Sequence, residues 1–137
     1  MDFNTLVSKV DTSVTANGCT FTFGYPSQVN ANHNNTYPYV ILEPPTSVFT
    51  NAYDNKEQFT LKFYIYDRQG ANTLQVSYRN LQTLLKNIMQ SMFLSFEDNM
   101  ILNGDVRIER INDTQNDRLI GVIVDIPVNV FSNCLLY

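Results

Sequence analysis

Hydrophobic residues recur along the chain at two spacings, and the switches between them divide it into elements. Phe3, Leu6, Val7, Val10 and Val14 share one face at helical spacing. Asp2 is placed to cap the start of that helix, and Asn17-Gly18 to stop it, because glycine takes the left-handed conformation cheaply. The β-branched content lowers intrinsic propensity, so this helix needs a sheet on which to dock its apolar stripe. Cys19 to Phe23 alternates with period two and reads as a strand ending in the Gly24-Tyr25-Pro26 turn, and Asn30 to Asn35 reads as an exposed polar loop.

The run Tyr37-Pro38-Tyr39-Val40-Ile41-Leu42-Glu43-Pro44-Pro45 holds three of the five prolines. Proline has no N–H to donate, so Pro38 suits a strand start and Pro44-Pro45 ends the pairing. The prolines thus cut a short strand and stiffen its exit. The segment that follows, within 43–56, carries Val48, Phe49 and Tyr53 without helical period. It is either a strand extension folded back on the core or a protruding arm that meets a partner.

Glu57 to Tyr66 is the clearest strand, with Phe59, Leu61, Phe63 and Ile65 on one face and Thr60, Lys62, Tyr64 and Tyr66 on the other. The second face is itself not very polar, which predicts some cover there too. After Asp67 to Gly70 turns the chain, a long helix is expected from Asn72 to about Ser95. Asn72 and Gln75 form a capping-box-like pair, and Leu74, Tyr78, Leu81, Leu85, Ile88 and Met92 make the inner stripe, widened by Leu84, Met89 and Phe93. The stripe is short for a coiled coil and poor in flanking charge, which favours packing on a sheet. Glu97 and Asp98 suit a helix C-terminus badly. Met100 to Leu102, an Asn103-Gly104 tight turn and a strand from Val106 to Ile111 follow; then comes a polar turn over 112–117 and a long strand, Leu119 to Val130. Pro127 inside that strand predicts a bulge or an edge. The whole reads as one α+β domain over 1–137: a mainly antiparallel sheet, with the N-terminal helix and one long helix packed on one face.

Composition narrows the function. Only 16% of residues are charged, and the formal net charge is −4. No basic stripe exists for phosphates; Arg107, Arg110 and Arg118 are interleaved with Glu109, Asp113 and Asp117. A polar but weakly charged surface opposes association less than a charged one. No apolar run approaches the roughly 20 residues that span a bilayer, and Met1-Asp2-Phe3-Asn4 lacks the features of a signal peptide. Cys19 and Cys134 are expected to be reduced in a cytosolic product, and the Asn34 and Asn112 sequons to be chance matches.

Chemistry is hard to find. His33, the one histidine, lies in the Asn-rich loop with no carboxylate held beside it. One histidine and two distant cysteines do not make a zinc site. There is no glycine-rich phosphate loop and no Gly-x-Ser-x-Gly elbow, and nothing in the spacing pairs Glu57, Glu97, Asp98 or Glu109 as acid and base. A non-enzymatic protein with no cofactor and no metal is expected. The tail over 131–137 instead ends on Leu135, Leu136 and Tyr137. Burying each gains roughly 2–3 kcal/mol, against an ordering cost of about 1.5 kcal/mol per residue. It docks only where a good groove awaits, on its own domain or on a neighbouring copy.

The order of elements resembles that of tail-terminator and head–tail connector proteins of tailed bacteriophages. The shared features are an N-terminal helix, a strand opening on Tyr37-Pro38-Tyr39-Val40-Ile41, the alternating strand Glu57 to Tyr66, the helix Asn72 to Ser95 and a final hairpin. The resemblance implies a non-enzymatic virion subunit, assembled in the host cytoplasm into a six- or twelve-fold ring at the neck or tail, alongside other neck, portal or tail proteins. DNA passes through such a lumen without specific binding, which an acidic wall favours. It also implies subunit contacts by the segment after Leu42 and by sheet edges. The interface candidates are Tyr37, Tyr39, Pro44, Pro45, Val48, Phe49, Tyr53, Leu135, Leu136 and Tyr137. The alternative is a free-standing α+β ligand-binding or regulatory module.

Overall fold

The computed structural model describes residues 3–26, 37–51, 56–69, 71–111 and 119–131. In chain order the elements are α1 (Phe3–Ala16), β1 (Thr20–Phe23), β2 (Tyr39–Glu43), β3 (Phe49–Asn51), β4 (Lys56–Arg68), α2 (Leu74–Phe96), β5 (Met100–Leu102), β6 (Arg107–Ile111) and β7 (Leu119–Phe131). A single 3₁₀ turn, Glu97–Asn99, joins α2 to β5. The seven strands form one sheet, and this is an α+β fold with a mostly antiparallel sheet.

Two 13-residue strands are its spine. β4 and β7 pair antiparallel along their whole length, Lys56 opposite Phe131 through Arg68 opposite Leu119. Each carries two shorter strands on its outer side. β2 and β3 lie along β4, with β1 beyond β2, while β5 and β6 lie along β7. The β1–β2 pair is parallel, a departure from the antiparallel expectation that follows from the long 24–38 connection.

Period-two alternation fixes which side chains are buried. Phe59, Leu61, Phe63 and Ile65 of β4 and Ile120, Val122, Val124, Ile126, Val128 and Val130 of β7 point to one side, into a core completed by Leu6, Val10 and Val14 of α1 and by Leu81, Leu85, Ile88, Met92 and Phe96 of α2. Leu84, Met89 and Phe93 pack at its margin. The helices are tied together by Lys9, whose Nζ donates to the Ser95 carbonyl at 3.0 Å, and by Asn17, whose Nδ2 donates to Ser91 Oγ at 3.3 Å.

Helix ends obey local chemistry. Gly18 has φ +78°; its N–H donates to Thr15 O, and the Cys19 N–H to Val14 O. This double bond pattern satisfies carbonyls that the end of α1 would leave orphaned. The start of α2 corrects the expected cap by one residue. Thr73 is the N-cap, its hydroxyl accepting from the Val76 N–H at 3.3 Å. Gln75 therefore sits at the second helical position, where it cannot reach back as a capping-box partner. Leu74, expected on the inner stripe, is half exposed because the first turn precedes the sheet.

Asn103-Gly104 is a second correction. It does not turn a hairpin, since β5 and β6 both pair with β7, Leu102 opposite Val128 and Arg107 opposite Asp125. The break between them comes from Pro127. The Asn103 N–H donates to the Pro127 carbonyl at 2.8 Å, and the reciprocal bond has no donor because proline has no N–H. The nitrogen of a strand residue points to the same side as its carbonyl, so the deficit faces β5–β6 and leaves the β4 pairing unbroken. The expectation of a bulge or an edge near Pro127 thus finds its place on the outer side of β7.

Candidate functional site

Among the described residues no helix packs on the second face of the sheet, and register places its side chains in rows. One row runs Tyr39, Tyr66, Gly121, Ile111, and the next Ile41, Tyr64, Ile123, Glu109. Tyr39 and Ile41 are buried, packed by Tyr37, Tyr64 and Tyr66. The predicted partial cover of this face is therefore supplied by the sheet's own tyrosines. Arg68 lies over the Tyr37 ring, 5.0 Å from its centroid. Gly121 is where this layer is tightest: a β-carbon there would stand 3.1 Å from Tyr66 Cδ1, from Ile111 Cδ1 and from the Ile65 carbonyl oxygen.

The third row is Glu43, Lys62, Asp125, Arg107, four side chains of alternating sign on four adjacent strands. Arg107–Glu109, at 3.7 Å and well exposed, is the one ion pair among the described residues, while the Lys62 ammonium lies 5.8 Å from the Tyr64 ring centroid. Further along come Thr60 and Pro127, then Phe49, Gln58, Asn129 and Ile101. Asn129 is only 8% exposed, and its Oδ1 has no hydrogen-bond partner among the described residues.

The interface candidates fall in different places. Tyr39 lies on the face away from the helices, buried among Tyr37, Tyr64 and Tyr66, and its hydroxyl pairs with that of Thr22. Tyr37 is half-buried over Tyr39. Pro44 and Pro45 line a shallow cleft with Glu43, Thr60, Lys62 and Asp125. Val48 packs against the core, whereas Phe49 is 71% exposed. Within 43–56, residues Phe49–Asn51 pair with Lys56 to Gln58 of β4, so the described part is a strand folded back, one of the two forms open from the sequence. Tyr53, Leu135, Leu136 and Tyr137 lie outside the described residues, as do Asp2, His33 and Cys134.

Sequence reasoning missed the outer edge. Ile101, Leu102 and Ile108 on β5 and β6 are each nearly half exposed, and no described strand pairs with that side. The apolar letters were visible; which strand would cover them was not. The charge row was missed for the same reason, since it exists only once register is known.

Among the described residues, two of the carboxylates considered above lie on opposite faces of the sheet. Glu57 is buried on the helix side of β4, and Glu109 is exposed on the opposite face. No group of three His, Cys, Asp or Glu among the described residues could hold a metal ion, and no described helix is long and apolar enough to cross a membrane. Two titrating groups lie close together at one end of the core. Burial, helped by the Asp67 charge, pushes the Cys19 thiol up to about 11. Burial also raises the Asp67 carboxyl, partly opposed by the Arg68 N–H that donates to it at 2.8 Å. A raised carboxyl costs stability in full above its folded pKa, and the cost disappears as pH falls towards the unfolded value. Asp67→Asn should therefore be more stable than the parent at pH 7, with the gap closing below about pH 4. The gain is about 0.5 kcal/mol, because solvent screens a partly exposed carboxylate. Urea titrations of both proteins at pH 7 and pH 4 measure it.

Compared with known proteins, the chain matches no family model and no curated sequence.

Proposed function

We propose that the chain is a non-enzymatic virion structural protein, one subunit of a homo-oligomeric ring around the DNA channel at the neck of a tailed bacteriophage, as head–tail connector or tail terminator. The reading rests on the resemblance in element order and on one observation, the bare β5–β6 edge. Natural sheets blunt a free edge with charge, proline or a covering loop. Here β6 carries Arg107, Glu109 and Arg110, yet Ile101, Leu102 and Ile108 are still nearly half exposed. The opposite edge is β1, with Phe23 and Tyr25 exposed near its end. Joining two unlike edges is a head-to-tail contact, and such contacts close into rings when the rotation permits.

The other properties agree with this role. A net charge of −4 repels DNA phosphates, as a passage that must not grip its cargo requires. The ring would hold six or twelve copies and dock on neck, portal or tail proteins. The test is Ile108→Lys, examined by mass photometry and negative-stain microscopy with the neighbouring virion proteins present. Parent protein is expected to form closed rings, and the variant to lose them with its melting temperature within about 2 °C, the change typical of exposed sites. Parent chains that stay single in that mixture would overturn the ring.

A further inference from the structure

We propose that the open face of the sheet packs against the same face of a second copy, across a twofold axis lying along the strands between β4 and β7. The reason is the charge row Glu43, Lys62, Asp125, Arg107. When two copies face each other, an axis along the strands reverses the order of every row. The row −, +, −, + then meets +, −, +, −, so Glu43 of one copy lies over Arg107 of the other and Lys62 over Asp125, each pair occurring twice. An axis along the row would set each charge over itself. The sequence of signs thus selects one orientation of a self-contact.

Most of the remaining pairs agree with that axis, Ile41 over Glu109 being the exception. Tyr64 is set over Ile123, both half-buried and apolar enough to interlock. Phe49, 71% exposed, is set over Ile101. Gln58 is set over Asn129, one amide side chain facing another. The five rows hold 18 positions, which with strands roughly 4.8 Å apart and rows roughly 6.7 Å apart cover about 580 Å² per copy. That reaches the lower end of a standard stable interface, roughly 600 Å² per partner. Two facing sheets also pack naturally with their strands within about 30° of each other.

This contact uses a different surface from the edge-to-edge contact of the ring and stands or falls without it. In a ring-forming protein it would join two rings face to face, or pair subunits before assembly. The experiment is a charge swap read by sedimentation velocity on the purified full chain. The parent is expected to be a dimer at about 100 μM, weakening with salt. Lys62→Glu and Asp125→Lys each set two pairs of like charges face to face and should weaken the dimer at least 100-fold, on the order of what apposed like charges cost.

Lys62 and Asp125 are also cross-strand neighbours within one sheet, so each single change disturbs its own subunit. An equimolar mixture of the two variants separates the effects. It leaves that internal repulsion in place yet sets (−,−) over (+,+), and it should restore a dimer of one copy of each. The double variant Lys62→Glu/Asp125→Lys should dimerise like the parent. A parent that is monomeric at this concentration, a dimer indifferent to either change, or a mixture that stays monomeric overturns the proposal. Larger closed species indifferent to both changes overturn it as well, while favouring the edge-built ring.

Discussion

Replacing Gly121 by valine is expected to destabilise the fold by about 3 kcal/mol, the upper range for overpacking a filled site. Valine is a better strand former than glycine by up to roughly 1 kcal/mol, so propensity alone predicts the opposite sign. Space decides. The added β-carbon meets Tyr66, Ile111 and the Ile65 carbonyl oxygen, all at 3.1 Å. The two side chains can give a few tenths of an ångström, but the carbonyl belongs to the central β4 strand and is fixed by the ladder with β7. The two methyls then have nowhere to go. Gly121→Ala should cost less, about 1 kcal/mol, since one carbon asks for less room. Adding Tyr66→Ala to Gly121→Val should recover only part of the loss, because the carbonyl remains. Chemical denaturation of the four proteins tests the ordering, and a valine variant as stable as the parent would show that the site has slack.

Phe96→Ala should be the most damaging single truncation, at about 3–5 kcal/mol. Phe96 is the last residue of α2 and is completely buried. Its ring is also where α1 meets α2: the Lys9 ammonium lies 5.7 Å from the centroid while donating to the Ser95 carbonyl. Removing the ring leaves a cavity and loosens the seat of that lysine. For a chain of 137 residues, the loss corresponds to a melting temperature lower by roughly 10–15 °C. Lys9→Met keeps the aliphatic stem over the ring and should cost about 1 kcal/mol or less. Differential scanning calorimetry of both variants separates packing from the cation–ring contact.

Much of the fold was legible because its signals are local. The alternation in Glu57 to Tyr66 and in Ile120 to Val130 announced two strands and the side each would bury. The stripe from Tyr78 to Met92 announced the long helix, and Gly18 its predecessor's end. What escaped was pairing. Nothing within Met100 to Ile111 states that both halves lie on β7, and the gap between them sits opposite the missing donor of Pro127, distant in sequence. Asn103-Gly104 carries turn letters yet spans a ladder gap. The cap slipped from Asn72 to Thr73 because both residues are good caps and only the approach of the helix to the sheet chooses between them.

The interaction surface was less legible than the fold. The Tyr37 to Pro45 stretch stands out by composition, yet it divides between roles: Tyr39 is buried on the second face and pairs with Thr22, and Pro44 and Pro45 border a cleft. Glu43, Lys62, Asp125 and Arg107 look like scattered surface charges until register sets them side by side. A row of side chains across four strands has no signature in a linear string, since neighbours in it are separated by between 18 and 63 positions.

The interruption opposite Pro127 also bears on how safely such a chain is made in quantity. A continuous free strand from Met100 to Ile111 would invite strand-by-strand growth into cross-β fibrils, whose seeds are typically six- or seven-residue stretches. Splitting that strand into a three-residue and a five-residue piece keeps each below a stable seed, so only a complementary folded edge can engage both at once.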